Sequence, residues 1–185
     1  FALPLKLTFG SKPKVFFSMG HYGPFVSKIP YIVTIFDLSY LHYPEMFNKD
    51  DLYQLTNWSK RSILNSKHIF AISQNTKTDI VKSYGVSPQK ITVTYMGYDQ
   101  KRFKPQPKPK IEAIKTKYKI KSDYIIFVGT LQPRKNLERL LEAFELITRD
   151  QRPETSNLKL VIIGRKGWLY EPIYQKVKDL GVQSK

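Results

Sequence analysis

Residues 124–137 read YIIFVGTLQPRKNL, an apolar run, a glycine turn, two adjacent cations and the first leucine of an amphipathic segment. Tyr124 to Val128 is β-branched and aromatic, which predicts a short strand. Leu137, Leu140, Leu141, Phe144 and Ile147 recur at helical spacing. Gly129, Thr130, Arg134 and Lys135 therefore fall at a strand-to-helix junction. Amides at a helix start lack intrahelical partners and the helix dipole is positive there, so two cations at that end suit an anion. The first expectation is an anionic ligand on an open α/β sheet.

Working outward, the same grammar repeats. Lys14 to Phe17 and Tyr31 to Phe36 (YIVTIF) read as buried parallel strands. Asp50 and Asp51 open a helix with Leu52, Leu55, Trp58, Ser62 and Ile63 on one face. His68 to Ile72 is the next strand, and Ser73 is placed to cap a helix that runs to Tyr84 and stops at Gly85. Ile91 to Met96 returns as a strand. Alternating strands and helices predict a parallel, doubly wound sheet, because parallel neighbours need a crossover.

The texture then changes at FKPQPKPK, residues 103–110, where prolines alternate with polar residues and stiffen the chain. A basic helix near Ile111 to Tyr118 follows, and beyond the cation turn comes LKLVII, Leu158 to Ile163. Gly164, Arg165, Lys166 and Gly167 place a second glycine and cation turn at the end of that strand. Ile173, Val177 and Leu180 mark a last helix. The expected organisation is the later part of one Rossmann-like domain over 1–103, a linker over 104–110 and the first part of a second over 111–185, with ligands at the carboxyl ends of strands and a cleft between the halves.

Composition narrows the partners. The chain has 185 residues and a net charge of +16, with no cysteine and three histidines. Fourteen basic and six acidic residues lie through Lys104 and seventeen and nine beyond it, so each part carries +8. Such even spreading fits a solvated surface better than a nucleic-acid stripe, and no nucleic acid is expected as a partner. An anionic membrane face is a second partner class that dispersed cations permit. Without cysteine there is no disulfide, thiolate metal site or cysteine nucleophile. His21, His42 and His68 lack metal-ligand spacing, so no metal is expected. No apolar run approaches a membrane span, and FALPLKLTFG at the start has no basic region before a long apolar core.

IVTIFDLSYLHYPE (32–45), HIFAISQNTKTDI (68–80), VGTLQPRKNLERLLEAF (128–144) and LVIIGRKGW (160–168) together resemble family 4 of the retaining glycosyltransferases, which have the two-Rossmann-domain GT-B architecture, and especially its bacterial mannosyltransferase-like members. The resemblance implies a nucleotide-diphosphate sugar donor held by the second domain, and a glycan or lipid-linked acceptor entering from the first. It implies retention, metal independence, no cofactor beyond the donor, and a cytoplasmic enzyme, peripheral on the cytoplasmic membrane face where it meets lipid. Arg134 and Lys135 would then meet the β-phosphate of the leaving group, with Gly129, Thr130, Gly164 and Lys166 shaping the donor turns. Asp37, at the end of a strand, and His21, in the loop GHYGP, would serve the acceptor or the transferred sugar. Asp37 alternatively only caps its own turn.

The chain departs from the family at Phe36, where many members carry histidine, and at Thr130, where many carry arginine. The family's opening strand would precede Phe1 and its donor-gripping glutamate pair would follow Lys185, so the 185 residues are expected to be an internal part not competent by itself. The competing reading is a basic anion or nucleic-acid binding module. A nicotinamide-dependent enzyme is disfavoured because no GxGxxG follows a strand.

Overall fold

The computed structural model describes residues 13–150 and 155–183, so the opening FALPLKLTFG, part of the loop before the sixth strand and the last two residues of the expected second domain lie outside the described residues. The chain forms two compact units, Phe1–Tyr98 and Asp99–Lys185. Each is built around a parallel sheet.

In the first unit β1 (Phe16–Ser18), β2 (Tyr31–Ile35), β3 (His68–Ala71) and β4 (Ile91–Val93) lie side by side in chain order. Register is fixed by pairs such as Phe16 with Tyr31, Val33 with Ile69 and Ala71 with Val93. The β2 to β3 connection carries α1 (Lys49–Gln54), a π turn (Leu55–Ser59) and α2 (Lys60–Asn65), while α3 (Gln74–Tyr84) joins β3 to β4. Stepping always in one direction with right-handed crossovers puts these helices on one face of the sheet. Accordingly Ile63 of α2 and Ile80 of α3 share one core with Tyr31, Val33, Ile35, Ile69 and Ala71.

The sequence predicts β2 covered on both faces, but its residues alternate between buried and half-buried. Ile32 and Thr34, on the other face of the sheet, are half-buried, and Phe17 on β1 is 48% exposed. Local signals hold at the helix ends. Asn48 caps α1 by accepting from the Asp51 amide at 2.8 Å, two residues before the acidic pair begins. Ser73 caps α3 through the Thr76 amide, and Gly85 ends it in the left-handed region at φ 65°.

The second unit pairs β5 (Tyr124–Val128) with β6 (Lys159–Ile163), from Tyr124 opposite Lys159 to Val128 opposite Ile163. α5 (Leu137–Arg149) and α6 (Glu171–Asp179) pack through Leu137, Leu141 and Ile173, with Leu131 and Val182 closing the core. The buried stripe of α5 is Leu137, Leu141, Phe144 and Thr148, whereas Ile147 is 46% exposed. Thr148 can replace an apolar residue there because its hydroxyl donates to the Phe144 carbonyl at 2.9 Å. α4 (Lys108–Lys117) starts inside the expected linker. Pro109 sits in its first turn, where no intrahelical amide bond is lost. Val128 is 71% exposed and Ile126 52%, the mark of a two-stranded sheet with an apolar side still uncovered.

Candidate functional site

Each unit gathers its sequence-predicted residues at the carboxyl ends of its strands. In the second unit the two glycine turns run on beside each other past the ends of β5 and β6. The Gly129 amide donates to the Ile163 carbonyl at 2.9 Å, the Leu131 amide to Arg165 at 2.9 Å, and the Gly167 amide to Leu131 at 2.9 Å. Leu131 and Lys166 form a further parallel bridge. The approach needs glycine, because a Cβ on Gly164 would lie 1.7 Å from the Gly129 carbonyl oxygen and one on Gly167 2.7 Å from that of Leu131. Thr130 lies in the same seam, its methyl 2.8 Å from the position of a Gly167 Cβ.

Pro133–Lys135 then makes a single 3₁₀ turn, and Asn136 enters the left-handed region at φ 54° before α5 begins. Asparagine tolerates that conformation, but no side chain caps the helix here. The stem of Lys135 crosses Gly129, its Cε 4.0 Å from where a glycine Cβ would stand. Arg134 is half-buried, and its Nε is enclosed without a hydrogen-bond partner among the described residues. The Oε1 of Gln132, a residue only 4% exposed, is enclosed likewise. A guanidinium nitrogen left in that state calls for an acceptor, and charge-assisted bonds to an anion are the strongest it can make. Lys166 lies on the second turn. Its ammonium lies 5.0 Å over the Tyr170 ring and 5.3 Å over that of Tyr174, so cation–π contact holds it.

In the first unit His21 follows β1 and Asp37 follows β2. The His21 imidazole stacks on Phe36 at 5.7 Å and meets Tyr40 edge-on at 6.5 Å. Its Nδ1 is buried with no partner among the described residues. Burial pushes the imidazole below its ordinary value of 6.5, while the Asp37 carboxylate pulls the other way. Asp37 Oδ1 accepts from the Ser39 amide at 2.9 Å and from its hydroxyl at 2.6 Å, so the carboxylate does cap its turn. Phe36 and Asp37 are held in turn by α3, where the Thr76 hydroxyl donates to the Phe36 carbonyl at 2.9 Å.

Sequence reasoning missed what fixes the His21 loop. Ser62 Oγ accepts from the Gly23 amide at 2.8 Å and donates to the Trp58 carbonyl at 2.7 Å, tying that loop to the π turn. Gly23 lies flat on Tyr31, whose ring would be 2.3 Å from an added Cβ. The available signal was serine four residues after tryptophan in a helix, a spacing at which a hydroxyl can return to the carbonyl. Among the described residues no helix is long and apolar enough to cross a membrane, and no group of three or more histidine or carboxylate side chains could hold a metal ion.

Known proteins share this arrangement. Residues 9–102 match the family described as Glycosyltransferase Family 4, and residues 110–185 match Glycosyl transferases group 1. Among curated proteins, the chain is 24% identical over 148 residues to O-antigen chain mannosyltransferase B of Escherichia coli, covering 80% of this chain and 38% of that protein. It is 24% identical over 184 residues to O-antigen chain mannosyltransferase RfbU of Salmonella typhimurium, covering 100% of this chain and 45% of that one. The chain thus spans less than half the length of these two relatives. Among solved structures, HepE of Anabaena in complex with UDP-glucose superposes with a TM-score of 0.63 at 20% identity, over 86% of this chain and 41% of HepE. The parallel α/β fold is therefore that of a GT-B glycosyltransferase structure. With one family matched across the first sheet and its companion across the second, the chain belongs to glycosyltransferase family 4.

Proposed function

We propose that this chain serves transfer of a hexosyl group, mannose- or glucose-like, from a nucleotide-diphosphate sugar to a glycan or lipid-linked acceptor. The single observation that carries the reading is the enclosed Nε of Arg134, without a partner among the described residues, beside Lys135 in a turn that glycine packing brings against a second strand end. As the glycosidic bond breaks, negative charge grows on the β-phosphate of the leaving nucleotide. Arg134 and Lys135 lower the barrier by meeting that charge with donors already in place. Uncapped amides at the start of α5 add to the same field. Lys166, parked on its two tyrosines, contributes charge without direct contact.

In the first unit we assign His21 and Asp37 to the acceptor side. A neutral imidazole can accept or donate a hydrogen bond to a sugar hydroxyl, and burial keeps His21 neutral at pH 7. Retention and metal independence belong to the same proposal. The cation pair supplies positive charge at the leaving group. Support for the donor class comes from HepE, crystallised with UDP-glucose, and for a mannosyl group from the two O-antigen mannosyltransferases. Turnover is proposed for a protein as long as those relatives, and donor binding alone for the 185 residues.

Calorimetric titration of the chain with GDP-mannose and UDP-glucose tests the reading. At least one should bind and should lose about 10–100-fold in affinity in Lys135→Ala, the loss of one charge-assisted contact. Binding of neither, together with tight, steeply salt-dependent binding of an oligonucleotide, would transfer the assignment to a nucleic-acid module.

A further inference from the structure

Four aromatic rings stand in succession in the first unit. Phe36 stacks on His21 at 5.7 Å, His21 meets Tyr22 at 6.3 Å, and Tyr22 meets Trp58 at 5.8 Å with the planes 76° apart. The inner members, Phe36 and His21, are half-buried, while Tyr22 is 38% exposed and Trp58 42%. Two large rings set nearly perpendicular form a corner open to solvent. Such rings carry apolar area that folding normally hides, so ones fixed at the surface are suited to receive something.

The corner is fixed. Trp58 stands in a π turn, Leu55–Ser59, a deviation that widens a helix by one residue and recurs at functional sites. The clamp through Ser62 joins that turn to the loop carrying Tyr22, and Gly23 packs directly against the Tyr31 ring. Polar groups accompany it: His21 Nδ1, which has no partner among the described residues, Asp37, whose charge acts on His21, and Asp51 of α1; burial and, after it, the Asp51 charge push the Tyr22 phenol above its ordinary 10.0.

A pyranose ring has this mixed character. One face presents a patch of C–H bonds that lies well against an aromatic face, and its rim presents hydroxyls to a histidine and carboxylates. We propose that Tyr22 and Trp58 form a stacking platform for a neutral sugar residue of the acceptor, with His21 at its inner edge. This rests on the glycosyltransferase reading, in which the first unit takes the acceptor. It adds the chemical class bound there, a neutral pyranoside, and the two residues that hold it.

Saturation-transfer NMR on the 185-residue chain, with methyl α-mannopyranoside, methyl α-glucopyranoside and mannotriose as probes, tests the platform. Transfer should reach the C–H protons of one sugar face, and Tyr22→Ala and Trp58→Ala should each weaken binding by about 10-fold, equivalent to the ~1.4 kcal/mol of one stacking contact. Trp58→Phe, which keeps a ring and the π turn, should retain most of it, so a folding defect in Trp58→Ala does not decide the matter. Lys135→Ala should leave it unchanged. No transfer from any probe while GDP-mannose or UDP-glucose still binds would overturn the platform and spare the donor assignment. Transfer indifferent to both alanine variants would also overturn it. Sugar binding that persists while neither nucleotide sugar binds would leave the platform standing and overturn the donor assignment.

Discussion

The Gly129 carbonyl oxygen occupies the space that a side chain on Gly164 would need, so the two strand ends close on each other only while residue 164 has no Cβ. Gly164→Ala should therefore force the seam apart, breaking the ladder that runs on to Leu131 and Arg165. The expected cost is about 3 kcal/mol, at the upper end for overpacking, because backbone and not a flexible side chain must give way. Gly20→Ala is the matched control, since nothing lies within 4 Å of its Cβ position. Urea unfolding of both variants checks this, and equal midpoints would contradict it.

Arg134 should act in opposite senses on folding and binding. Its Nε is enclosed without an acceptor among the described residues, so removing the guanidinium removes an unmet polar group. Arg134→Met should leave thermal stability unchanged or raise it, while affinity for a nucleotide-diphosphate sugar falls about 10–100-fold through loss of a charge-assisted contact. Thermal unfolding and titration on the same preparation read both effects. A variant destabilised as well as weakened would make Arg134 a structural residue.

The opposed expectations for Gly164 and Arg134 also show what was legible in the sequence. Glycine turns, caps and strand cores announce themselves locally: Ser73 and Gly85 delimit α3 as the residue types require, and the phosphate-like turn is visible in the order strand, glycine, cations, leucine helix. Relations across space do not. Nothing local tells that Lys166 rests on Tyr170 and Tyr174, since that contact depends on how the second turn leads into α6. The same holds for His21, whose ring lands on Phe36 because β1 and β2 are neighbours. The half-buried residues of β2 are not legible either, because an apolar run does not reveal how fully each side of a strand is covered.

His21 predicts a pH dependence of stability with a definite sign. Burial lowers its folded value below 6.5, so between the two values the unfolded chain binds more protons. Its contribution is fully present above pH 6.5 and is lost as pH falls below 6.5 and through the folded value. The melting temperature should drop on acidification from pH 7 toward 5, and His21→Gln should flatten that slope while changing the value at pH 7 less. An unaltered slope in His21→Gln would assign the acid sensitivity to other groups.

Ser62 offers the sharpest separation between holding the fold and holding the site. Its hydroxyl bonds in both directions at once, to the Gly23 amide at 2.8 Å and the Trp58 carbonyl at 2.7 Å, and the residue is only 4% exposed. Ser62→Ala leaves a hydroxyl-sized gap and an amide with no partner, a loss of about 1–3 kcal/mol. The Val33, Ile35 and Ile69 core is untouched by this change, so the unit should remain folded. The loop from Gly20 to Pro24 should instead loosen, with amide exchange at Gly23 accelerating far more than at Val33 or Ile69. Because Tyr22 rides on that loop, sugar affinity should fall even though both aromatic rings are still present. Uniform acceleration of exchange across the sheet would show that Ser62 supports the whole core and not the aromatic corner in particular.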